Sequence, residues 1–112
     1  MSSGQKGAPE LEGVVFASNL VEPQPGAVVS RTLIKKPSGT VTVFAFDAGE
    51  GLSEHTAPFD ALVLDLEGEA DISISGTPHH VSPGQILRLP AGKPHAVKAV
   101  TPFKMLLVMI RE

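Results

Sequence analysis

The chain has 112 residues with a formal net charge of −3, and 42% of them are hydrophobic, so it can bury one core but has no room for a second domain. Its nine Lys and Arg residues are scattered and its only aromatic residues are five Phe, which argues against nucleic acid and an anionic membrane surface as partners. The lack of Cys excludes disulfides, thiolate ligands and thiol nucleophiles. No apolar run approaches the ~20 residues that span a bilayer and no apolar signal segment begins the chain, so a cytoplasmic location is expected.

The first residues follow no periodic pattern. Met1 to Leu11 are rich in Ser, Gly, Gln and Pro, so residues 1–12 are predicted to form a disordered tail before a single domain over residues 13–112. Eight short runs of β-branched and apolar residues then predict strands. They are Val14–Phe16, Val28–Ile34, Thr40–Phe46, Asp60–Leu66, Ala70–Ile74, Ile86–Leu89, Ala96–Val100 and Phe103–Ile110.

Turn-forming residues separate these runs. Eleven Gly and ten Pro in so short a chain are typical of many short strands joined by tight turns, because Gly allows positive φ and Pro cannot continue a central ladder. No segment has a sustained helical period with caps. The sequence therefore predicts an all-β fold, a small antiparallel sandwich that closes into a barrel.

Two of the predicted strands are apolar on both faces. Along residues 60–66 three Leu share one face while Ala61 and Val63 share the other, and residues 104–110 follow the same pattern. One small domain cannot cover so much apolar strand surface by itself. We therefore expect a homodimer whose interface uses these strand faces and the region from Val14 to Ile34.

Two segments share a distinctive spacing. The first, residues 49–68, reads GEGLSEHTAPFDALVLDLEG, and the second, residues 84–99, reads GQILRLPAGKPHAVKA. Their spaced glycine, proline and histidine residues are Gly49, His55, Gly68, Gly84, Pro90, Gly92 and His95. In this spacing the chain resembles the cupins of the small conserved-barrel type. The resemblance implies a double-stranded β-helix, or jelly-roll barrel, of short antiparallel strands.

The resemblance also implies a metal position in the mouth of the barrel. The first cupin motif supplies two His and a Glu, and those places here hold His55, Ala57 and Ala61; the second motif supplies a third His, which is His95. A divalent transition metal (Zn, Ni, Mn or Fe) held by His55 and His95 is therefore expected from the resemblance. Because a firm site usually has three or four protein ligands, the alternative is two mouth histidines hydrogen-bonded to each other through water.

Further residues are candidates for the lining of the cavity. Those in the first motif are Ala57, Phe59, Asp60 and Ala61. Asp60 is expected to point to the opposite face of the strand from Ala61, away from the cavity, unless Pro58 interrupts the strand. His79 and His80 point to opposite faces in a strand, so either His80 faces the cavity or both lie on a surface or edge strand. Arg88 can pair bidentately with an anionic ligand or be an exposed strand charge.

These residues favour a protein that binds a small molecule in the mouth of the barrel, directly or through the metal. One alternative is a metal-free binding or accessory module, because Ala57 and Ala61 leave room for an apolar ligand. The other is a metal-assisted isomerase or hydrolase in which one His acts as general base. The sequence names no substrate.

Overall fold

The computed structural model describes Leu11 and residues 13–111. The predicted tail over residues 1–12 lies outside the described residues, apart from Leu11. In chain order the elements are a turn of 3₁₀ helix, Ala17–Asn19, and strands β1 (Val28–Lys36), β2 (Gly39–Phe46), β3 (Gly51–His55), β4 (Asp60–Glu67), β5 (Ala70–Ile74), β6 (Thr77–Val81), β7 (Ile86–Leu89), β8 (His95–Ala99) and β9 (Phe103–Ile110). Among these elements there is no helix with the length and hydropathy needed to cross a membrane.

The strands form two sheets, and all of their pairs are antiparallel. A five-stranded sheet has the order β1-β2-β9-β4-β7 and a four-stranded sheet has the order β3-β8-β5-β6. Side chains from both sheets meet in one core, where Phe46, Ile72 and Phe103 are completely buried. The predicted all-β jelly-roll barrel is therefore confirmed.

Seven of the eight predicted strands are present, with ends that differ from the predicted ones by at most two residues. Val14–Phe16 is not a strand, although its residues are apolar. Two strands were not predicted, β3 and β6, and both lie at edges of the four-stranded sheet. Edge strands carry exposed polar residues and tolerate Pro78, so they lack the apolar pattern by which a strand is predicted.

Gly68 illustrates why the glycine spacing predicts the fold so well. It joins β4 to β5 with φ of 82°, a left-handed conformation that favours glycine. A Cβ atom at this position would also collide with the backbone carbonyl of Pro102. No other residue fits this turn without moving the segment before β9, which packs against it.

The outer face of the five-stranded sheet carries a second, smaller apolar cluster. Val43 and Ala45 on β2 are buried there beneath Leu20 and Val21, which follow the 3₁₀ turn. The Nζ of Lys104 fixes this segment by donating to the carbonyl of Ser18 at 2.7 Å. Part of the second apolar face of β9 is therefore covered by the chain's own N-terminal region.

Candidate functional site

A cavity of about 210 Å³ lies between the two sheets at one end of the barrel. Ten of its twelve lining residues are apolar and the other two are histidines. They are Phe44, Leu52, His55, Ala57, Phe59, Ala61, Leu89, His95, Val97, Met105, Leu107 and Met109. No charged side chain lines the cavity, so a group that enters it loses the solvation of water without gaining an ionic partner.

Strand alternation produces this lining. Met105, Leu107 and Met109 are alternate residues of β9, and they point to the same side as Ala61 of β4. Ala57 and Ala61 are small, and both stand where the family pattern has metal ligands. The space that larger side chains would take therefore belongs to the cavity.

The two histidines are cross-strand partners. His55 ends β3 and His95 begins β8, and the register pairs them directly. Their ring centroids are 4.4 Å apart and the rings are inclined by 69°. The two segments of the family pattern thus place their imidazoles side by side at the mouth of the cavity.

The nitrogen atoms of the two rings differ in their partners. The Nδ1 of His55 lies 3.0 Å from the carbonyl oxygen of Ser53, and because a carbonyl only accepts, this nitrogen carries the hydrogen. In the neutral ring, the Nε2 of His55 then has a lone pair that can accept a hydrogen bond. The Nδ1 of His95 is buried and has no hydrogen-bond partner among the described residues.

His95 is held in its neutral form. Burial is the main reason why its pKa lies below the usual 6.5, and the nearby His55 acts in the same direction. The backbone of Lys93 acts in the opposite direction and offsets this shift of the pKa only in part. At neutral pH this imidazole is therefore an uncharged hydrogen-bonding group facing a largely apolar space.

The cavity contains few groups that can bind a transition metal. Among the residues that the structure describes, no group of three or more His, Cys, Asp or Glu side chains is arranged to hold a metal ion. Ala57 and Ala61 contribute no donor atoms, so the cavity offers two imidazoles where a firm transition-metal site usually has three or four protein ligands. These residues alone fall short of a metal centre.

Three of the six predicted cavity residues line the cavity: Ala57, Phe59 and Ala61. Asp60, His80 and Arg88 lie outside this lining. Asp60 points to the outside of β4, where its Oδ1 accepts from the backbone amide of Ala91 at 2.8 Å. Arg88 lies on the outer face of β7 because Leu89 takes the inward position.

His80 lies on the exposed edge strand β6, away from the cavity. Its Nδ1 is 2.8 Å from Asp71 Oδ1, and its Nε2 is 2.6 Å from Glu69 Oε1. Ser82 Oγ also donates to Glu69 Oε1 at 2.7 Å. Asp71 and then Glu69 raise the pKa of His80 above 6.5, because both carboxylates favour the imidazolium. Of the two positions considered for His80, the cavity and a surface or edge strand, the structure supports the second.

Sequence reasoning did not single out every residue of interest. It did not name Met105, Leu107 and Met109, which face the same side as Ala61, and this shared direction is the signal that could have placed them around the cavity. Asp65 on β4 is 1% exposed, and neither carboxylate oxygen has a hydrogen-bond partner among the described residues. Burial raises the pKa of Asp65 to about 6.

Comparison with known proteins identifies the family to which the chain belongs. The Cupin domain model matches residues 42–110, which is more than half of the chain. A solved protein of unknown function from Streptococcus pyogenes is 36% identical with a TM-score of 0.88, over 94% of this chain and 92% of that one. A cupin superfamily protein from Desulfitobacterium hafniense is 30% identical with a TM-score of 0.87, over 94% and 96% of the two chains.

A third solved structure, a cupin 2 conserved barrel domain protein from Leptotrichia buccalis, is 42% identical with a TM-score of 0.81. The match covers 84% of this chain but only 46% of that protein. No curated protein matches the chain. The family match and the two similar structures of nearly equal length show that this chain belongs to the cupin superfamily.

Proposed function

We propose that this cupin binds one small, neutral and mostly apolar molecule in its cavity, with a single polar group of that molecule facing His55 and His95. The observation that carries the proposal is the lining itself, which combines ten apolar side chains with two imidazoles and no charge. Binding sites for small molecules commonly join an apolar wall to a few placed polar groups.

The volume of the cavity limits the size of the ligand. An engineered apolar cavity of about 150 Å³ stays dry and binds benzene. The cavity here, at about 210 Å³, is moderately larger. We therefore expect a molecule of about seven to ten non-hydrogen atoms, which is a six-membered ring or branched chain with one or two substituents.

The two imidazoles determine which polar group is favoured. The Nε2 of His55 offers a lone pair, and the buried Nδ1 of His95 lacks a partner. A hydroxyl group can donate to one such nitrogen and accept from another, so it satisfies a group whose isolation is unfavourable. A carboxylate would have to leave water for a cavity with no cation, so anionic molecules should bind much more weakly.

The same features weigh against the enzyme alternative. A neutral His95 can accept a proton, as a general base requires. The lining provides no second acid, nucleophile or charged group to stabilise a developing charge. Two imidazoles and apolar walls thus support binding better than isomerase or hydrolase chemistry.

Titration with three probes tests the ligand class. Phenol, benzene and benzoate should bind in that order when followed by chemical shifts of the two histidine rings, with phenol about tenfold tighter than benzene because of one added hydrogen bond. Ala61→Leu fills the cavity and should abolish phenol binding, whereas the matched change Ala48→Leu at an exposed turn should not. Equal binding of benzoate and phenol, or binding unaffected by Ala61→Leu, would contradict the proposal.

The divalent metal that the family resemblance implies at His55 and His95 has a separate test. Purified protein is incubated with Zn²⁺, Ni²⁺, Mn²⁺ or Fe²⁺, dialysed and analysed for bound metal. Because two imidazoles are too few ligands, we expect less than one ion per chain. One ion per chain that is lost in both His55→Ala and His95→Ala would instead favour a ligand held through a metal.

A further inference from the structure

A second, wider recess lies against the outside of the cavity. Its volume is about 580 Å³, and it opens between the link from β3 to β4 and the end of β9. Its lining consists of Pro58, Phe59, Asp60, Ala91, Ile110 and Arg111. Among the described residues, Phe59 is the one that lines both spaces. The side chain of Phe59 therefore stands between an apolar cavity and a recess that carries two charged side chains.

The backbone on both sides of Phe59 is held in place. Phe59 is the last residue of the link between β3 and β4, which spans residues 56–59. The carbonyl of Ala57 accepts from the backbone amide of Gly92 at 2.9 Å, and Asp60 Oδ1 accepts from that of Ala91 at 2.8 Å. Both hydrogen bonds tie this link to the connection between β7 and β8. Because the backbone is fixed, a passage between the two spaces opens where the ring of Phe59 turns about its side-chain torsions.

Arg111 contacts this ring from the side of the recess. Its guanidinium carbon lies 4.8 Å from the centroid of the Phe59 ring, within the distance at which a cation and an aromatic face attract each other. The backbone amide of Arg111 donates to the carbonyl of Ser38 at 2.7 Å, which fixes the base of the side chain. An exposed contact of this kind favours one position of the ring by about two- to fivefold.

We propose that Phe59 determines the length of the ligand that the cavity accepts, and that Arg111 is a positioning residue that holds its ring in the closed position. The inference rests on the proposed function of the cavity. A molecule within the size limit of the cavity leaves the ring where it is. A longer molecule must turn the ring away from its contact with Arg111 before its end can enter the recess. The accepted class is therefore short neutral alcohols, and one side chain discriminates against longer ones.

Two alcohols test the length limit, because hexan-1-ol and decan-1-ol carry the same hydroxyl group and differ only in chain length. Hexan-1-ol is within the size limit of the cavity, whereas decan-1-ol exceeds it. The wild type should bind decan-1-ol no tighter than hexan-1-ol. Phe59→Ala joins the cavity to the recess and should bind decan-1-ol about tenfold tighter than hexan-1-ol, because one or two more methylene groups leave water. Calorimetric titration measures both affinities.

Phe16→Ala is the matched control, since Phe16 is 77% exposed and lines neither space. It should keep the preference of the wild type. Phe59→Leu retains a smaller apolar side chain and should show an intermediate preference, and circular dichroism checks that each variant is folded. No binding of either alcohol by the wild type would overturn the proposed function and this inference with it. Binding of hexan-1-ol with a preference that both changes at Phe59 leave unaltered would overturn the length limit alone.

Arg111→Gln tests the positioning role. Without the cation, decan-1-ol should bind about two- to fivefold tighter while the affinity for hexan-1-ol stays the same, because only the longer chain displaces the ring. Arg111→Lys keeps a cation and should return the preference towards that of the wild type. Arg88→Gln, at an exposed arginine that lines neither space, should have no effect. An unchanged preference in Arg111→Gln, or the same change in Arg88→Gln, would overturn the role of Arg111.

Discussion

The cavity and the surface of the β5–β6 hairpin each contain a histidine whose pKa is shifted, in opposite directions. His95 faces apolar side chains, its Nδ1 has no partner among the described residues, and its pKa is lowered by burial. His80 is exposed, lies between two carboxylates, and has a raised pKa. The difference shows that surroundings decide the charge of a histidine, because burial without a counterion favours the neutral imidazole and neighbouring carboxylates favour the imidazolium.

A carboxylate placed inside the cavity should change the free energy of unfolding more than any other substitution considered. Ala61→Glu introduces a charge beside His95 without a cation in the lining, and we expect the free energy of unfolding at pH 8 to fall by about 3 kcal/mol. Denaturant titration measures the change, and Ala48→Glu at an exposed turn is the matched control.

Ala61→Glu also tests whether a missing carboxylate is what limits metal binding in the wild-type cavity. With Glu at position 61, two imidazoles and a carboxylate line one cavity, which is a donor set that suits a divalent transition ion. Zn²⁺ should therefore raise the melting temperature of Ala61→Glu more than that of the wild type. Equal responses of the two proteins would mean that the missing carboxylate is not what limits metal binding.

Asp65 provides the next largest effect, because it is a buried carboxyl without the partners that Glu69 has. Its pKa is raised from 3.8 to about 6, so folding favours its protonated form. This contribution to stability is fully present below pH 3.8 and is lost as the pH rises through about 6. Asp65→Asn should therefore raise the free energy of unfolding by about 2 to 3 kcal/mol at pH 8, with almost no gain near pH 4.

Denaturant titrations at pH 4, 6 and 8 measure this dependence. Glu54→Gln, which removes an exposed carboxyl at the end of β3, controls for the change in net charge. A stabilisation by Asp65→Asn that is the same at all three pH values would show that ionisation of the buried carboxyl is not its cause.

Removing the polar atom from the cavity should have a smaller effect. His95→Phe replaces a buried nitrogen that has no partner, so the free energy of unfolding should rise by about 1 kcal/mol. The preference for phenol over benzene should fall from about tenfold to near unity, because the hydroxyl group loses its partner. Calorimetric titration measures both ligands, and an unchanged preference would mean that His95 does not contact the hydroxyl group.

Much of the fold could be predicted from local rules. Gly68 occupies a turn that only glycine fits, and the alternation along β4 and β9 correctly separates inner from outer side chains. The edge strands β3 and β6 could not be predicted in this way, because their pairing depends on β8 and β5 and not on an apolar pattern of their own. Local patterns reveal buried strands better than exposed ones.

The residues of the candidate site also differ in how well the sequence predicts their positions. His55 and His95 were predicted to meet, and the register pairs them. Asp60 was predicted to line the cavity although its parity pointed outward, and here the simple alternation was the better guide. The position of His80 depends on how β6 pairs with β5, so its two carboxylate partners could be identified only from the folded chain.

The smallest expected effect concerns His80, which is the exposed one of the two histidines with shifted pKa values. Its raised pKa contributes stability that is fully present below pH 6.5 and is lost as the pH rises through its value in the folded protein. Hydrogen bonds from Ser82 and then His80 lower the pKa of Glu69 below 4.5, so the contribution of Glu69 is present above pH 4.5 and is lost at lower pH. The cluster should therefore stabilise the hairpin most between these two limits, and only modestly, because water screens exposed charges.

Asp71→Asn tests whether the neighbouring carboxylate is what raises the pKa of His80. It removes the carboxylate that contributes most to the shift, so the pKa of His80 should fall towards 6.5 while that of His95 stays where it is. Titration of both rings by ¹⁵N NMR measures the two values in one sample. A fall of both pKa values together would point to a change in the net charge of the protein, and an unchanged pKa of His80 would mean that Asp71 is not the partner that holds its proton.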